Sequence, residues 1–330
     1  MFEKLKHKIF LRADAGQNIG YGHFIRSSAL ADMLKDDFDV LFATVNPTDY
    51  QKHELSNVCP CISLNSETHF EDFLSMLKGD EIVVLDNYFF TTDYQRAVKE
   101  KGCKLVCIDD MHDKHYVADL IVAQGEVSRY MYSTESYTRF CLGYDWLLLR
   151  NPFLEAYKKN SHRNYSPLFQ RIVVGFGGAD MYNLTEKTLQ ILIKQKCIQT
   201  VDVIIGDASQ LKNSFITTKE LNFHRNISAS HIAQLFSSCD IAILPTSTIC
   251  LEALVCKTRI AGGFYVDNQE EFYQYLDKAN IIYGMGNFLQ ESYTDKLEQL
   301  FIYDATVLNP FPIHLNDLKE RYIYIFKTLL

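Results

Sequence analysis

Four groups able to handle charge and protons fall in one short run, Arg12-Ala-Asp14-Ala-Gly-Gln-Asn-Ile-Gly20-Tyr-Gly22-His23-Phe-Ile-Arg26. A neutral imidazole with an ordinary pKa of about 6.5 can take a proton from water near neutral pH, so His23 is a candidate base. Asp14 would orient that imidazole or the water, or else cap the loop. Arg12 and Arg26 either anchor negative charge on a ligand or pair with Asp14. Burying all four without a polar purpose is costly, so the run reads as a site. A second set lies further along: Gly177, Gly178 and Asp180, then Ser247 and Thr248 with Glu252 after them, then Asn268 and Gln269. Hydroxyls and backbone N–H groups at a helix start make an anion cradle, although a Ser or Thr there is equally a plain N-cap. Asn268 and Gln269 read either as ligand contacts or as a loop cap.

The elements that must position these groups alternate between strand and helix. An apolar run at 9–11 enters the Gly20–Gly22 loop, and Leu30 and Leu34 mark one face of the helix that follows. Such a unit points free N–H groups and a helix dipole at whatever lies above the loop, which suits an anion. Further strands are expected at 39–44, 81–86, 104–109 and 119–123, with helices at 71–77 and 92–101. Two of these strands end in Asp86-Asn87-Tyr88 and Asp109-Asp110, as buried parallel strands do at a ligand-facing edge. Tyr88 is there either a ligand contact or a core aromatic. Residues 156–167 are polar and lack apolar periodicity, as a linker does.

A second strand–glycine–helix opening follows at 171–193. Strands are expected at 200–205, 223–227, 239–244 and 259–266, helices from 228, at 249–256 and at 271–279, and a terminal amphipathic helix at 316–330. Gly175-Phe-Gly177-Gly178 departs from G-x-G-x-x-G, so a nicotinamide cofactor is not expected. Two such openings predict two facing Rossmann-like α/β domains with parallel sheets, at 1–160 and 161–315, followed by the terminal helix at 316–330.

The 330 residues are 47% hydrophobic and carry a net charge of -8, which suits one large or two medium domains and argues against general nucleic-acid binding. Nine cysteines are scattered, several inside apolar runs. With no signal-like or 18-residue apolar stretch, they read as reduced thiols of a cytoplasmic protein without membrane insertion. His112 and His115 have no partnering ligand cluster, so no metal is expected. The oligomeric state is open, and a monomer is compatible with the sequence.

The first run resembles the N-terminal signature of the UDP-sugar hydrolases of pseudaminic acid biosynthesis, a glycosyltransferase-B-like family that includes spore-coat polysaccharide proteins. Arg12, Asp14, Ile19, Gly20, Gly22, His23 and Arg26 meet the pattern R-[SA]-D-x-x-x-x-I-G-x-G-H-x-x-R. The run from Leu142 through Gly143, Tyr144 and Arg150 to Phe153 continues the likeness. Gly177-Gly178-Ala-Asp180 resembles the family's G-G-[ST]-D, and Asn268-Gln269 its D-N-Q. Ser247, Thr248 and Glu252 resemble the element that holds diphosphate and accepts ribose hydroxyls. Departures occur at Asp86-Asn87-Tyr88-Phe89, where the family commonly has Asp-His-Tyr-Gly, and at Ala123-Gln124-Gly125, where it commonly has Asn-Gln-Asn.

The resemblance implies a UDP-2,4-diacetamido-2,4,6-trideoxyhexose substrate and no cofactor. It also implies an active site in the cleft between halves, a terminal helix at 316–330 that packs back on the first domain, and water attacking the anomeric carbon with inversion, His23 being the base. Chemically, diphosphate is a good leaving group, so a cradle for it and one base suffice. A glycosyltransferase acting on an acceptor alcohol in surface polysaccharide synthesis, and a non-catalytic nucleotide-sugar-binding protein, are the alternatives.

Overall fold

The computed structural model describes residues 6–16, 19–161, 163–177, 180–206, 215–302 and 308–330. The chain divides into two compact units, one formed by Met1–Asn151 with Ile313–Leu330 and the other by Pro152–Pro312.

In the first unit the order is β1 (Lys8–Ala13), α1 (Gly22–Leu34), β2 (Asp39–Val45), α2 (Asp49–Leu55), β3 (Cys61–Leu64), α3 (His69–Met76), β4 (Ile82–Asp86), α4 (Thr92–Glu100) and β5 (Lys104–Ile108). Then come β6 (His115–Tyr116), β7 (Leu120–Ala123), β8 (Ser133–Thr134) and β9 (Arg139–Leu142). Seven strands form a parallel sheet in the order β3-β2-β1-β4-β5-β7-β9, while β6 and β8 pair separately. The central strands are apolar on both faces because helices cover both: every residue of β4 is buried. One face packs Phe10, Phe73, Val83, Leu85, Leu105 and Ile121 into a single cluster.

The second unit runs α5 (Asn151–Lys159), β10 (Arg171–Val174), α6 (Leu184–Leu192), β11 (Thr200–Ile205), β12 (Glu220–Arg225), α7 (Ala229–Ser238) and β13 (Ile241–Pro245). It continues with α8 (Thr248–Val255), β14 (Ile260–Phe264), α9 (Glu270–Lys278), β15 (Tyr283–Asn287) and α10 (Ser292–Gln299). Its six strands are parallel in the order β12-β11-β10-β13-β14-β15. Ile172, Val174, Val201, Val203, Ile241 and Ile243 supply its central core.

The last helix, α11 (Leu318–Lys327), packs in the first unit. Its buried face presents Leu318, Tyr322 and Phe326. Tyr322 donates to the Trp146 carbonyl at 2.5 Å, and Phe326 meets Phe38 edge-on at 6.3 Å. Lys319 and Lys327 pair with Asp36 and Asp37 just beyond α1.

Three expectations need correction. The polar stretch from 156 is helical as far as Lys159, because Phe153 and Ala156 on α5 give it a buried stripe that begins before the stretch itself. Beyond it, Arg163 donates to the carbonyls of Phe236, Cys239, Cys256 and Lys257, so this segment is docked on the second unit by capping the C-terminal ends of α7 and α8. Strand β12 starts three positions before the expected one, its polar face hidden from an apolar-run search. Strand β15, Tyr283-Gly-Met-Gly-Asn, lacks the usual strand residues because close backbone approach demands glycine: a Cβ on the facing Gly263 would lie 2.4 Å from the Gly286 carbonyl oxygen.

Candidate functional site

Both sheets reverse their strand order once, between β1 and β4 in the first unit and between β10 and β13 in the second. Loops diverge at such a switch point and leave a crevice outside the C-terminal strand ends, the usual ligand position in open α/β sheets. The candidate residues gather at these two places.

In the first unit β1 ends with Ala13 beside Asp86 of β4. The chain then turns through Gly20, whose φ of +78° favours glycine, and enters α1 at Gly22. This places His23 in the first helical turn above the end of β4. Its Nδ1 lies 2.7 Å from Asp86 Oδ1 and 3.1 Å from Arg26 Nη2. The shorter contact assigns the proton: Nδ1–H donates to the carboxylate, and Nε2 is left as the acceptor. His23 is 4% exposed, and Nε2 has no partner among the described residues. The Tyr88 ring meets the imidazole edge-on at 4.6 Å and is itself 38% exposed, so it borders the base on the open side.

Asp86 is fully buried and accepts from His23 Nδ1, Arg26 Nε and Nη2, and Ser27 Oγ. Burial pushes its pKa up, but Arg26 and His23 outweigh that and hold it at about 2. The carboxylate is therefore ionised throughout the neutral range. Arg26 also reaches Asp110 Oδ2 at 2.8 Å, and Tyr88 donates to the same oxygen at 3.3 Å.

Asp14 does not orient His23. Its Oδ1 accepts from Arg12, Thr44 Oγ1 and the Val45 amide, and its Oδ2 from Arg12 Nη2 at 2.9 Å. Arg12 is 0% exposed and also contacts His69 Nδ1 at 2.9 Å, while its guanidinium stacks over Phe90. Arg12 thus pairs with Asp14, the second of its two expected roles, and together they form a buried brace that ties the end of β1 to the end of β2.

In the second unit Gly177 turns the chain after β10 with φ +81°, and a Cβ there would meet the Tyr265 hydroxyl at 3.5 Å. Gly178 lies outside the described residues. Asp180 accepts from the Leu184 and Thr185 amides, one on each carboxylate oxygen, and so caps α6. Burial raises its pKa, which those amide hydrogen bonds only partly offset.

After β13, buried Thr246 donates its amide to the Gly263 carbonyl and its hydroxyl to the Gln269 carbonyl, and so locks two loops together. Ser247 and Thr248 follow, half-buried, at the start of α8, and the Ser247 side chain does not cap the helix. Glu252, expected to receive ribose hydroxyls, is 2% exposed in the second turn. Asn268 is exposed, while Gln269 Oε1 accepts from the Tyr265 amide and shapes the loop after β14.

Helix starts separate the ligand-facing elements from the rest. Thr48, Thr91 and Ser228 cap α2, α4 and α7. Asp180 caps α6, and α3, α9, α10 and α11 carry acids in their first turn. Among the described helices with an assigned N-cap, α1 and α8 alone lack both devices. Their uncompensated N–H groups and positive dipole ends lie at the two switch points, which is the arrangement that binds an anion.

Asp86 and Asp110 had no role assigned from the sequence. The signal was present, since both terminate apolar strands, but which of several strand-end acids faces His23 depends on strand order. Among the described residues, no helix is long and apolar enough to cross a membrane.

No family model matches the chain. It is 27% identical over 281 residues to the UDP-2,4-diacetamido-2,4,6-trideoxy-beta-L-altropyranose hydrolase of Campylobacter jejuni, a match covering 82% of this chain and 96% of that protein. It is 24% identical over 307 residues to an uncharacterized protein of Methanocaldococcus jannaschii, covering 87% of this chain but 63% of that longer one. Among solved structures it superposes on MurG of Acinetobacter baumannii with a TM-score of 0.55 at 11% identity, over 97% of this chain and 99% of that one. It superposes on UGT89C1 of Arabidopsis thaliana complexed with UDP with a TM-score of 0.62 at 11% identity, over 98% and 94%. Two Rossmann-like halves with parallel sheets, matched along nearly their full length to these structures, make this a glycosyltransferase-B-like fold, in a chain similar in sequence to a UDP-sugar hydrolase.

Proposed function

We propose that the protein processes nucleotide sugars and, more specifically, hydrolyses a UDP-2,4-diacetamido-2,4,6-trideoxyhexose to UDP and the free sugar, a reaction of nonulosonic acid synthesis. The observation that carries this reading is the His23–Asp86 pair. An ionised, buried carboxylate holds Nδ1–H, so that Nε2 is a base open on the side bordered by Tyr88. The likeness to the Campylobacter jejuni hydrolase supports the substrate class.

In this reading the water oxygen bonds to the anomeric carbon as the bond from that carbon to the diphosphate oxygen breaks. The leaving electron pair stays on UDP and the water proton passes to Nε2. A single displacement inverts the anomeric centre. Asp86 stabilises the imidazolium that forms, and the uncapped N–H groups of α8, with the Ser247 and Thr248 hydroxyls, are a candidate anion site of the second unit. This division of labour needs no metal ion.

The test is incubation with a panel of UDP-sugars, following UDP release by the parent protein and by His23→Ala. Release that needs His23 and puts 18O from labelled water into the sugar supports the reading. Label in UDP places the attack at phosphorus and refutes it. Turnover only with an added alcohol favours a transferase, and tight binding without turnover favours a binding protein.

A further inference from the structure

We propose that Asp110 is a positioning residue that sets the basicity of His23 by balancing the charge of Arg26, an inference that rests on the hydrolase reading for its kinetic consequence but not for its physical one. The geometry is a relay of charges within the first unit. Arg26 spans two carboxylates, giving Nε and Nη2 to Asp86 at 2.9 and 2.6 Å and Nη1 to Asp110 at 2.8 Å. The same guanidinium lies 3.1 Å from His23 Nδ1.

Without Asp110, one arginine and one aspartate would cancel, and protonating His23 would leave the cluster with an uncompensated positive charge. With Asp110 the cluster carries one net negative charge while His23 is neutral, and reaches neutrality when His23 takes a proton. The second carboxylate thereby makes protonation the step that completes the charge balance, which is what a base in a nearly closed site requires.

The other groups facing this cluster do not supply the same charge. Tyr88 is neutral and donates its hydroxyl to Asp110. Ser27 donates to Asp86. Arg12 and Asp14 compensate each other in their own pair. Neighbouring Asp109 accepts from the Tyr116 hydroxyl and from the Met111 and His112 amides, so it is committed to shaping the loop after β5. Asp110, by contrast, is partly exposed and joins Arg26 to Tyr88, so its charge acts on the base through a side chain already in contact with it.

The experiment compares the parent protein with Asp110→Asn by NMR titration of 15N-labelled histidine, with His23→Gln used to assign the resonance. Removing a negative charge disfavours the imidazolium, so the His23 midpoint is expected to fall by about one pH unit. The acid limb of kcat/KM for UDP-sugar hydrolysis moves down with it, and plateau kcat falls several-fold with KM nearly constant. An unchanged His23 midpoint overturns the proposal, whatever happens to the rate. If Asp110→Asn does not fold, Asp110→Ser removes the same charge while keeping an acceptor for Arg26, and the same midpoint decides. The titration reads the charge balance without substrate, so a parent lacking hydrolase activity would sink the functional reading and leave this one to be judged separately.

Discussion

At the scale of single residues the chain spends its buried charges on two neighbouring constructions with opposite purposes. Arg12 and Asp14 satisfy one another and the backbone inside the first unit, whereas Asp86 holds a histidine with one nitrogen left open. His23→Ala is expected to lower kcat for UDP release by about 10²–10⁴-fold, the usual worth of a positioned base. Arg12→Met, by contrast, strands a buried carboxylate and should destabilise the protein by about 3–5 kcal/mol in chemical denaturation. Asp86 also governs acid stability. Its folded pKa of about 2 lies below the ordinary value of 3.8, so its contribution is complete above the higher value and is lost as pH falls through the lower one. That contribution is about 2 kcal/mol. Unfolding free energies measured between pH 4 and pH 2 should therefore fall more steeply for the parent than for Asp86→Asn, which starts lower but lacks this term.

At the scale of elements, helix starts distinguish scaffold from site. A capping hydroxyl stabilises its helix whether or not a ligand is present, whereas an uncapped start keeps its amides for an anion. Thr91→Ala, at the start of α4, should cost about 1 kcal/mol of stability with UDP affinity unchanged. Ser247→Ala should do the reverse: stability within about 0.5 kcal/mol of the parent, with UDP binding measured by calorimetry weakened several-fold. Equal stability losses in the two variants would show that Ser247 is an ordinary cap after all. Asp180, in a glycine loop, serves as a cap as well, since each of its oxygens accepts from an α6 amide.

At the scale of the whole molecule, the first unit is completed by the last segment of the chain. Phe326 and Tyr322 are buried there, while the lysine–aspartate pairs beside them are largely exposed. Apolar burial outweighs surface ion pairing in such a contact. Phe326→Ala should lower stability by about 3–5 kcal/mol, as other large core truncations do, and Lys319→Ala by less than about 1 kcal/mol. A fall in stability on adding 0.5 M salt comparable to the Phe326→Ala effect would reverse that ranking.

Local sequence by itself determined the alternation of strand and helix, the two glycine-loop openings and the presence of an imidazole at one of them, because apolar periodicity and glycine act over a few residues. It also exposed Asp86 and Asp110 as acids at strand ends. Which acid meets His23 was decided only by tertiary structure: β1 lies beside β4, not beside β3, and that order brings residues sixty-three positions apart to 2.7 Å. The same holds for Asp14, which sequence proximity offered to His23 but which the end of β2 captured through the Val45 amide. It holds also for the stretch after 156, polar in itself yet bound by Arg163 to the ends of two helices. Spacing along the chain specifies elements; hydrogen-bond partners between elements follow from sheet order, which no local window contains.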